Sequence, residues 1–323
     1  MIVTQVTARV PAKLNLQLAV GPLRADGFHD IVTVFQAVTL FDEVTVQPAE
    51  RSRVVVTGRD AKSVPRGTAN LAVRAAAALA RVALPRGRRL PVLIEIRKRI
   101  PAAAGLAGGS ADAAAALVAC NELWSAGLSA HELSEVGAEV GSDVPFALLG
   151  GTAIGHGRGE RLSPALVTGT YHWVLAFAAS GLATPDVYAA CDRLREARSA
   201  AERQPLRDPA LSEAPHLSAA LMAALRSGDP AAVGPLLAND LQPAALSLRP
   251  ALRRTLAAGT DLGALGAIVS GSGPTCAFLA RSARHARDLA VSLTGAGVCA
   301  GVATATGPAP GATLLPRTAR TVD

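Results

Sequence analysis

The chain has 323 residues and a mass of 32.7 kDa, which predicts two domains that each bury a core of their own. Half of the residues are hydrophobic, but no uncharged apolar run reaches membrane-spanning length, so no membrane partner is expected. The net charge of +7 comes from dispersed basic residues with only 3% aromatics. This pattern argues against nucleic acid and favours polyanionic small molecules such as nucleotides.

Two residue types that occur in small numbers constrain the chemistry further. The four cysteines are scattered without Cys-x-x-Cys spacing, which predicts reduced core thiols in a cytoplasmic protein, neither disulfides nor metal ligands. Only three of the 32 basic residues are lysine, namely Lys13, Lys62 and Lys98. Because arginine and lysine are not interchangeable next to a phosphoryl group, each lysine calls for a specific reason.

Residues 1–167 are predicted to form a first domain of mixed strands and helices. Alternating or β-branched runs predict strands at 4–10, 14–20, 31–40, 43–47, 53–57 and 90–100. Apolar spacing and capping residues predict helices at 69–83, 110–126, 130–140 and 144–149. Because strands cluster first and helices follow, the layout indicates an α+β fold instead of a βαβ repeat.

Residues 168–310 are predicted to form a second domain, followed by a loose tail at 311–323. Strands are predicted at 172–178, 267–270, 276–279 and 298–306. Helices are predicted at 186–195, 216–226, 231–237 and 283–293. The polar, proline-bearing segment 198–215 is predicted to be a mobile surface loop.

The motif PAKLNL at 11–16 is predicted to place Lys13 and Asn15 on one face of a strand, and Leu14 and Leu16 on the other. A lysine and an asparagine side by side suit a surface that meets a polyanion. An ordinary amphipathic strand with its polar side in water explains the same residues. The motif alone leaves both interpretations open.

A loop of small residues, PAAAGLAGGSA at 101–111, joins the strand predicted at 90–100 to an alanine-rich helix. Ser110 is the predicted N-cap of that helix, with Asp112 in its first turn. A strand, a loop without bulky side chains and a helix N-terminus expose backbone N–H groups that bind an anion such as phosphate. The spacing matches neither a P-loop nor a dinucleotide fingerprint, and a tight capped turn explains it equally well.

The motif GSDVPF at 141–146 places Asp143 before a short apolar helix with Pro145 in its first turn. Aspartate is common at the N-cap and proline at the start of a helix, so a structural cap explains both residues. The functional alternative is a carboxylate that accepts the proton of a substrate hydroxyl.

Two further motifs are weaker. The run VSGSGPTCAFL at 269–279 predicts a strand, a glycine turn and a strand, and a plain hairpin is favoured over a turn that brings backbone to a ligand. The run ADGFHD at 25–30 offers Phe28 as a stacking face and His29 as a hydrogen-bonding ring. A lone histidine beside an apolar residue is more often structural than functional.

In chain order, these features resemble the GHMP kinase superfamily, which includes galactokinase, homoserine kinase and mevalonate kinase. They are Lys13, the 101–111 loop, Asp143 and the 269–275 turn. A finer similarity, to the family that phosphorylates 4-diphosphocytidyl-2-C-methyl-D-erythritol, spans about 10–310. It is carried by VPAKLNLQLAVGPLRADGFHDIVTVFQAV, GLAGGSADAA, GSDVPFA followed by LGG, and SGSGPTC.

The resemblance implies a two-domain GHMP kinase fold: an N-terminal mixed sheet with helices, and a C-terminal ferredoxin-like α/β plait. It implies transfer of the γ-phosphoryl group of ATP to a hydroxyl on the methylerythritol part of a cytidine diphosphate substrate, in the non-mevalonate isoprenoid route. Mg²⁺ is expected on the β- and γ-phosphate oxygens, held mainly by phosphate and water. The expected protein is a monomer or weak homodimer without a nucleic-acid partner.

The resemblance also assigns residues. Lys13 and Asp143 become the catalytic pair: Asp143 orients the hydroxyl and accepts its proton late, and Lys13 stabilises charge on the transferring group. The ATP phosphates are assigned to Pro101, Ala102, Ala103, Ala104, Gly105, Leu106, Ala107, Gly108, Gly109, Ser110 and Ala111. The adenosine side is assigned to Asn70 and Lys98. The substrate pocket is assigned to Asn15, Phe28, His29, Thr184 and Tyr188.

Within that pocket, the resemblance places His29 on the cytosine edge, with the rings of Phe28 and Tyr188 on either side of the base. Phe28 stands where the family often has tyrosine, so a stacking face survives and a hydroxyl contact does not. Ala104 and Ala107 stand where many relatives have glycine, and alanine costs about 1–2 kcal/mol if either position needs a positive φ. The alternatives are a sibling GHMP kinase for a smaller alcohol and a basic nucleic-acid-binding module with this fold.

Overall fold

The structure is a computed structural model that describes residues 5–85, 90–201 and 214–316. Its strands are β1 (Val6–Leu23), β2 (His29–Pro48), β3 (Arg53–Gly58), β4 (Val92–Lys98), β5 (Thr152–His156), β6 (Arg161–Pro164), β7 (Tyr171–Phe177), β8 (Ala238–Asn239), β9 (Gly266–Val269), β10 (Cys276–Ala280), β11 (Gly301–Gly307) and β12 (Thr313–Leu314). Its helices are α1 (Leu71–Ala83), α2 (Gly108–Leu123), α3 (Ala130–Val140), α4 (Val144–Leu149), α5 (Thr184–Ala201), α6 (Ala219–Ser227), α7 (Pro230–Val233), α8 (Gln242–Leu248), α9 (Ala251–Asp261) and α10 (Ala283–Gly295).

The first sheet is built on β1 and β2, which pair antiparallel over most of their length. Its order is β12-β1-β2-β4-β3, with the β5–β6 hairpin on β2 and β8 on β1. The two long strands replace four shorter predictions, at 4–10, 14–20, 31–40 and 43–47. Pairing continues past Pro11 through a register shift between Pro11 and Ala12, because a bulge tolerates the missing N–H of proline.

Helix α2 is the central helix of the first domain, and its residues 113–116 are fully buried. The alanine side chains let α2 pack closely against the sheet and against α1. The prediction that Ser110 caps this helix is wrong: α2 begins at Gly108, and Ala107 occupies the N-cap position. Ala107 adopts the left-handed conformation, which turns the chain into the helix before Ser110 is reached.

The second sheet has the order β11-β7-β10-β9 and is antiparallel throughout. Helices α5 to α9 connect β7 to β9, and α10 connects β10 to β11. This order confirms the expected ferredoxin-like plait. Two helices of this region, α8 and α9, have no counterpart among the predictions, because Gln242-Pro243 and Pro250 suggest loops but lie at the helix starts, where proline is tolerated.

The two halves of the chain share the first sheet. The residues after 168 contribute β8 and β12, both of which pair with β1. The prediction of a loose tail is therefore wrong for residues 311–316, because β12 pairs with β1 at the edge of the sheet. Residues 317–323 lie outside the described residues. The predicted loop 198–215 begins inside α5, and its residues 202–213 also lie outside them. The boundary at 167/168 stays a prediction.

Candidate active site

A cavity of about 960 Å³ is lined by residues from both halves of the chain. Lys13 on β1 and Asp143 before α4 both line it, and their side chains meet there: Lys13 Nζ lies 3.7 Å from Asp143 Oδ2. These residues are 130 positions apart in the sequence, so only the fold brings them together. Their predicted convergence is confirmed as geometry.

Lys13 is held at this place by its neighbours on β1 and β2. Its Nζ donates a hydrogen bond to Asn15 Oδ1 at 2.7 Å and lies 4.8 Å from the ring centroid of Phe35. Asn15 in turn donates to Thr33 Oγ1 at 2.8 Å. The strand alternation predicted for PAKLNL is confirmed, because Lys13 and Asn15 contact each other while Leu14 and Leu16 belong to the hydrophobic core. The polar face is itself almost fully enclosed, and burial lowers the pKa of Lys13 although Asp143 opposes the effect.

Asp143 occupies the N-cap position of α4, yet its side chain makes no capping hydrogen bond. The structural-cap interpretation of the GSDVPF motif therefore fails, although Pro145 does lie in the first turn of α4. The carboxylate is 28% exposed and turned to the cavity, where it can accept a proton.

The 101–111 loop follows a strained backbone path on the other side of the cavity. Gly105 has a φ of 74°, and a Cβ at this position would lie 2.1 Å from the carbonyl oxygen of Ser270. Ala107 has a φ of 57°, so the expected cost of alanine at a positive φ applies to Ala107. Ala104 is not among the residues with positive φ, whereas Ala103 is, with 49°. The first N–H groups of α2 have no side-chain cap, which leaves them available to an anion.

Most of this loop faces the cavity, and part of it does not. The cavity-lining members are Ala103, Ala104, Gly105, Ala107, Gly108, Gly109 and Ser110. Pro101, Ala102, Leu106 and Ala111 are absent from the lining; Leu106 and Ala111 point into the core at 1% exposure. A phosphate contact from these four residues is therefore not supported by their positions.

The two residues assigned to the adenosine side, Asn70 and Lys98, are also absent from the cavity lining. Asn70 caps α1 by accepting from the N–H of Ala72, and it donates to the carbonyl of Pro65. A buried cap is a sufficient reason for this asparagine. Direct contact with adenosine is not supported for either residue.

Lys98 lies beneath the loop in a buried charge cluster. Its Nζ donates to Asp42, to Asp112 Oδ2 at 2.7 Å and to the carbonyl of Gly108 at 3.2 Å. Burial opposes the ammonium form, but the two carboxylates outweigh it and raise the pKa of Lys98. Burial raises the pKa of Asp112 to about 8, against the opposing effect of Lys98. This cluster fixes the start of α2, which presents the loop to the cavity.

The 269–275 turn packs directly against the loop. Ser270 Oγ donates to the carbonyl of Gly105 at 3.1 Å, and Ser272 Oγ lies 2.9 Å from Thr184 Oγ1. Gly271 and Ser272 line the cavity, so the turn brings backbone to the site and also serves as the connection between β9 and β10. The sequence analysis identified this turn but favoured a plain hairpin over a turn that brings backbone to a ligand.

A group of rings also lines the cavity. Phe28 is 49% exposed, and the guanidinium of Arg158 lies 4.7 Å from its ring centroid. His29 is buried and packs on Tyr188, with ring centroids 5.0 Å apart. All four residues line the cavity, as does Asp192, which hydrogen-bonds His29. Burial raises the pKa of Tyr188, so its phenol stays neutral.

Sequence reasoning missed Asp192 and Arg158. Asp192 follows Tyr188 by four residues on α5, and Tyr188 follows Thr184 by four, so helical spacing places all three on one face. That spacing was a usable signal. Arg158 sits in the turn between β5 and β6, where nothing local marks it out among 29 arginines.

Two family models match the chain: GHMP kinases N terminal domain at residues 70–151, and GHMP kinases C terminal at residues 221–299. The fold, the loop and the cavity thus define a GHMP kinase. A solved homoserine kinase from Cytophaga hutchinsonii shares the fold, with a TM-score of 0.73 at 19% identity over 98% of each chain.

Closer relatives narrow the class. 4-diphosphocytidyl-2-C-methyl-D-erythritol kinase of Nocardia farcinica is 55% identical over 98% of both chains, and that of Streptomyces coelicolor is 54% identical over 96% of this chain and 99% of its own. A crystal structure of 4-(cytidine 5'-diphospho)-2C-methyl-D-erythritol kinase matches with a TM-score of 0.71 and 33% identity, covering 93% of this chain and 98% of that one. The chain belongs to the 4-diphosphocytidyl-2-C-methyl-D-erythritol kinase family.

Within the described ranges, no helix is both long enough and apolar enough to cross a bilayer.

Proposed function

We propose that this protein transfers the γ-phosphoryl group of ATP to a hydroxyl of 4-diphosphocytidyl-2-C-methyl-D-erythritol, a step in the non-mevalonate route to isoprenoid precursors. The relatives described above carry this activity in their names. The observation that carries the proposal is that Lys13 and Asp143 meet in the cavity that the 101–111 loop also lines. An ammonium, a carboxylate and a phosphate-binding helix start are the parts that phosphoryl transfer to an alcohol requires.

The N-terminus of α2 supports a place for the ATP phosphates. The N–H groups of its first turn point away from the helix and make no intrahelical bonds, and the helix dipole favours negative charge there. The exposed backbone of Gly109 and the hydroxyl of Ser110 line the cavity at this point. ATP whose phosphates bind here would have its γ-phosphoryl group in the same cavity as Lys13 and Asp143.

Asp143 is the proposed acceptor of the hydroxyl proton. Phosphoryl transfer passes through a loose transition state, so the hydroxyl keeps most of its proton until late in the reaction. A carboxylate that is not used as a helix cap is free to orient the hydroxyl and to take the proton as the new P–O bond forms.

Lys13 is the proposed stabiliser of the charge on the transferring group. Its ammonium is almost fully withdrawn from water, so its field acts on the phosphoryl oxygens with little screening. The 3.7 Å separation from Asp143 leaves space for a substrate oxygen to approach both groups.

Magnesium fits this site only as an ion held mainly by the nucleotide. No three His, Cys, Asp or Glu side chains in the described part of the chain lie close enough together to hold a metal ion. The cavity does present a hard oxygen donor in the hydroxyl of Ser110, which is the candidate to hold Mg²⁺ together with phosphate and water. When bound, Mg²⁺ offsets charge on the phosphate oxygens.

The rings that line the cavity support a place for the cytidine. Phe28 is exposed and can stack on a base, and Tyr188 on α5 packs against the ring of His29. Arg158 adds a positive charge beside Phe28, which suits a base that carries a diphosphate.

The test is ADP release with a panel of alcohols that includes the diphosphocytidyl substrate, homoserine and mevalonate. We expect ADP only with the diphosphocytidyl alcohol, and competition by cytidine nucleotides. ADP release with a smaller alcohol, without such competition, would indicate a sibling GHMP kinase.

The Asp143→Asn variant tests the mechanism separately. We expect turnover to fall by about 10²–10⁴-fold while ATP binding is kept, because the amide cannot accept the hydroxyl proton. Asp288→Asn is the matched control, since Asp288 is exposed on α10 and forms only a surface ion pair with Arg284. Unchanged turnover in Asp143→Asn would remove Asp143 from the mechanism.

A further inference from the structure

Three consecutive carbonyl groups of the 101–111 loop, those of residues 103–105, accept hydrogen bonds from the second half of the chain. Their donors are, in order, the N–H of Leu182 at 3.4 Å, the N–H of Thr275 at 3.3 Å and Oγ of Ser270 at 3.1 Å. Thr275 and Ser270 belong to the 269–275 turn described above. Leu182 belongs to a separate segment, the 178–183 connection between β7 and α5.

Gly181 brings this connection into direct contact with the loop. A Cβ at position 181 would lie 2.7 Å from Cβ of Ala103 and 2.8 Å from the carbonyl oxygen of Ala103. Both distances are shorter than a real Cβ tolerates, so a side chain at this position would push the two segments apart. Glycine is therefore what allows the N–H of Leu182 to reach the carbonyl of Ala103.

The 178–183 connection is itself held on both sides of this contact. Arg249, which follows α8, donates from Nη2 to the carbonyl of Gly181 at 3.3 Å. At the other end, Oγ1 of Thr184 lies 2.9 Å from Oγ of Ser272. Thr184 lines the active-site cavity, whereas Gly181 and Arg249 are absent from its lining. Gly181 and Arg249 can therefore act on a ligand in the cavity only through other residues.

Ala103 needs external support because of its backbone conformation. Its φ of 49° lies in the left-handed region, which costs an alanine about 1–2 kcal/mol. The hydrogen bond from Leu182 fixes the plane of the peptide between Ala103 and Ala104, and with it the direction of the Ala104 N–H. Within the described part of the chain, none of the N–H groups of residues 103–107 donates to a protein carbonyl. The affinity of such a loop for an anion depends on the directions of these groups.

We propose that Gly181 is a positioning residue for ATP: it lets the 178–183 connection hold Ala103 in its left-handed conformation, which sets the path of the loop that binds the phosphates. The inference rests on the proposed function, since it concerns the loop assigned there to ATP. Gly181 does not touch ATP in this account; it acts through Ala103.

The first experiment measures the Kd for ATP by calorimetry, without an alcohol substrate. In Gly181→Ala we expect ATP to bind about tenfold more weakly, because the new methyl group displaces Ala103. The Kd for the diphosphocytidyl substrate, measured without ATP, should stay at the wild-type value, because Ser272 still holds Thr184. The matched control is Gly295→Ala at the end of α10, where a Cβ meets no atom within 4 Å.

The second experiment restores the space that Gly181→Ala removes. Ala103→Gly deletes the Cβ that a side chain at position 181 would meet first, and glycine adopts a positive φ without strain. In the double variant we expect the Kd for ATP to return to within about threefold of that of Ala103→Gly alone, which makes the two sites strongly coupled in a double-mutant cycle.

A third pair of variants decides the question if Gly181→Ala does not fold. Arg249→Met removes the donor to the carbonyl of Gly181 and adds no atom at the contact. We expect the Kd for ATP to rise about threefold, the size of one hydrogen bond, and to stay near the wild-type value in Arg249→Lys, which keeps a cationic donor.

Each remaining result contradicts one specific claim. The inference is overturned by an unchanged Kd for ATP in Gly181→Ala, by an equal loss for ATP and the diphosphocytidyl substrate, or by a loss that Ala103→Gly does not reverse. A wild type that does not bind ATP would overturn it as well. A wild type that binds ATP but releases no ADP with the diphosphocytidyl alcohol would contradict the proposed function, while the ATP measurements still decide the role of Gly181.

Discussion

Lys13 and Lys98 both pair with aspartate beside the 101–111 loop, but Lys13 lies in the cavity and Lys98 lies beneath it. Lys13 is 3.7 Å from one carboxylate that remains 28% exposed. Lys98 makes direct hydrogen bonds to two carboxylates that are at most 3% exposed. The two ion pairs use the same chemical groups at different separations and in different surroundings.

The comparison shows what distinguishes an ion pair that performs chemistry from one that maintains the fold. A loose pair whose carboxylate is partly exposed can still bind a substrate, whereas the groups of a tight buried cluster already bond to one another and to the carbonyl of Gly108. The lysine that maintains the fold is expected to matter for stability, and the one in the cavity for rate. The following predictions can separate these two roles.

The largest expected effect is on catalysis at Lys13. In Lys13→Met we expect turnover to fall by about 10²–10³-fold, because one preorganised charge on the phosphoryl group is lost. The free energy of unfolding should change by less than about 1 kcal/mol, since Asp143 can be hydrated and burial disfavours the ammonium in any case. Single-turnover kinetics and urea unfolding measure the two quantities. A loss of stability that accounts for the loss of rate would contradict the comparison.

The next largest effect is on stability at Lys98. In Lys98→Met we expect the free energy of unfolding to fall by about 3–5 kcal/mol, because the buried carboxylate of Asp42 is left without its cation and Asp112 loses its hydrogen-bond donor. Lys62→Met is the control, since Lys62 is exposed and a surface change of this kind is usually within about 0.5 kcal/mol. Equal urea midpoints for the two variants would show that the cluster does not stabilise the fold.

The third effect is a pH dependence at Asp112, whose folded-state pKa of about 8 lies above the ordinary value of 3.8. A raised pKa means that the folded state holds the proton more tightly. The contribution of Asp112 to stability is therefore complete below about pH 4 and is lost as the pH rises towards 8. In Asp112→Asn this loss disappears, so the stability difference between wild type and variant should change with pH by at most about 1.4 kcal/mol per unit.

Urea unfolding of both proteins at pH 5, 6, 7 and 8 checks this prediction. The wild type should lose stability relative to Asp112→Asn at each step. Parallel curves would mean that Asp112 keeps its ordinary titration despite burial, and that Lys98 alone balances both carboxylates.

These two lysines also show how far sequence reasoning reaches. The scarcity of lysine in an arginine-rich chain marked both positions, and strand alternation placed Lys13 beside Asn15 correctly. The fold class and the meeting of Lys13 with Asp143 followed from motifs in a recognisable order. Each of those motifs carries its signal within a few neighbouring residues.

The partners of Lys98 could not be predicted in this way. Asp42 is 56 residues before it on another strand, and Asp112 is 14 residues after it inside a helix, so neither is marked by local spacing. The same limit explains the tail: whether β12 pairs with β1 depends on where the sheet edge is exposed, and no short motif records this. Asp192, in contrast, was detectable from helical spacing once Tyr188 had been chosen.

The smallest expected effect concerns the loop that lies between the two lysines. Ala107 adopts a left-handed conformation with φ 57°, which is strained for alanine, whereas Ala104 does not have a positive φ. Ala107→Gly should raise the free energy of unfolding by about 0.5–1 kcal/mol, because relief of strain exceeds the entropy cost of glycine. Ala104→Gly should lower it by a similar amount, since no strain is relieved there and a buried methyl group is removed. Effects of the same sign in both variants would show that the loop path tolerates alanine at position 107 without strain, and the departure from the family pattern would then have no energetic consequence.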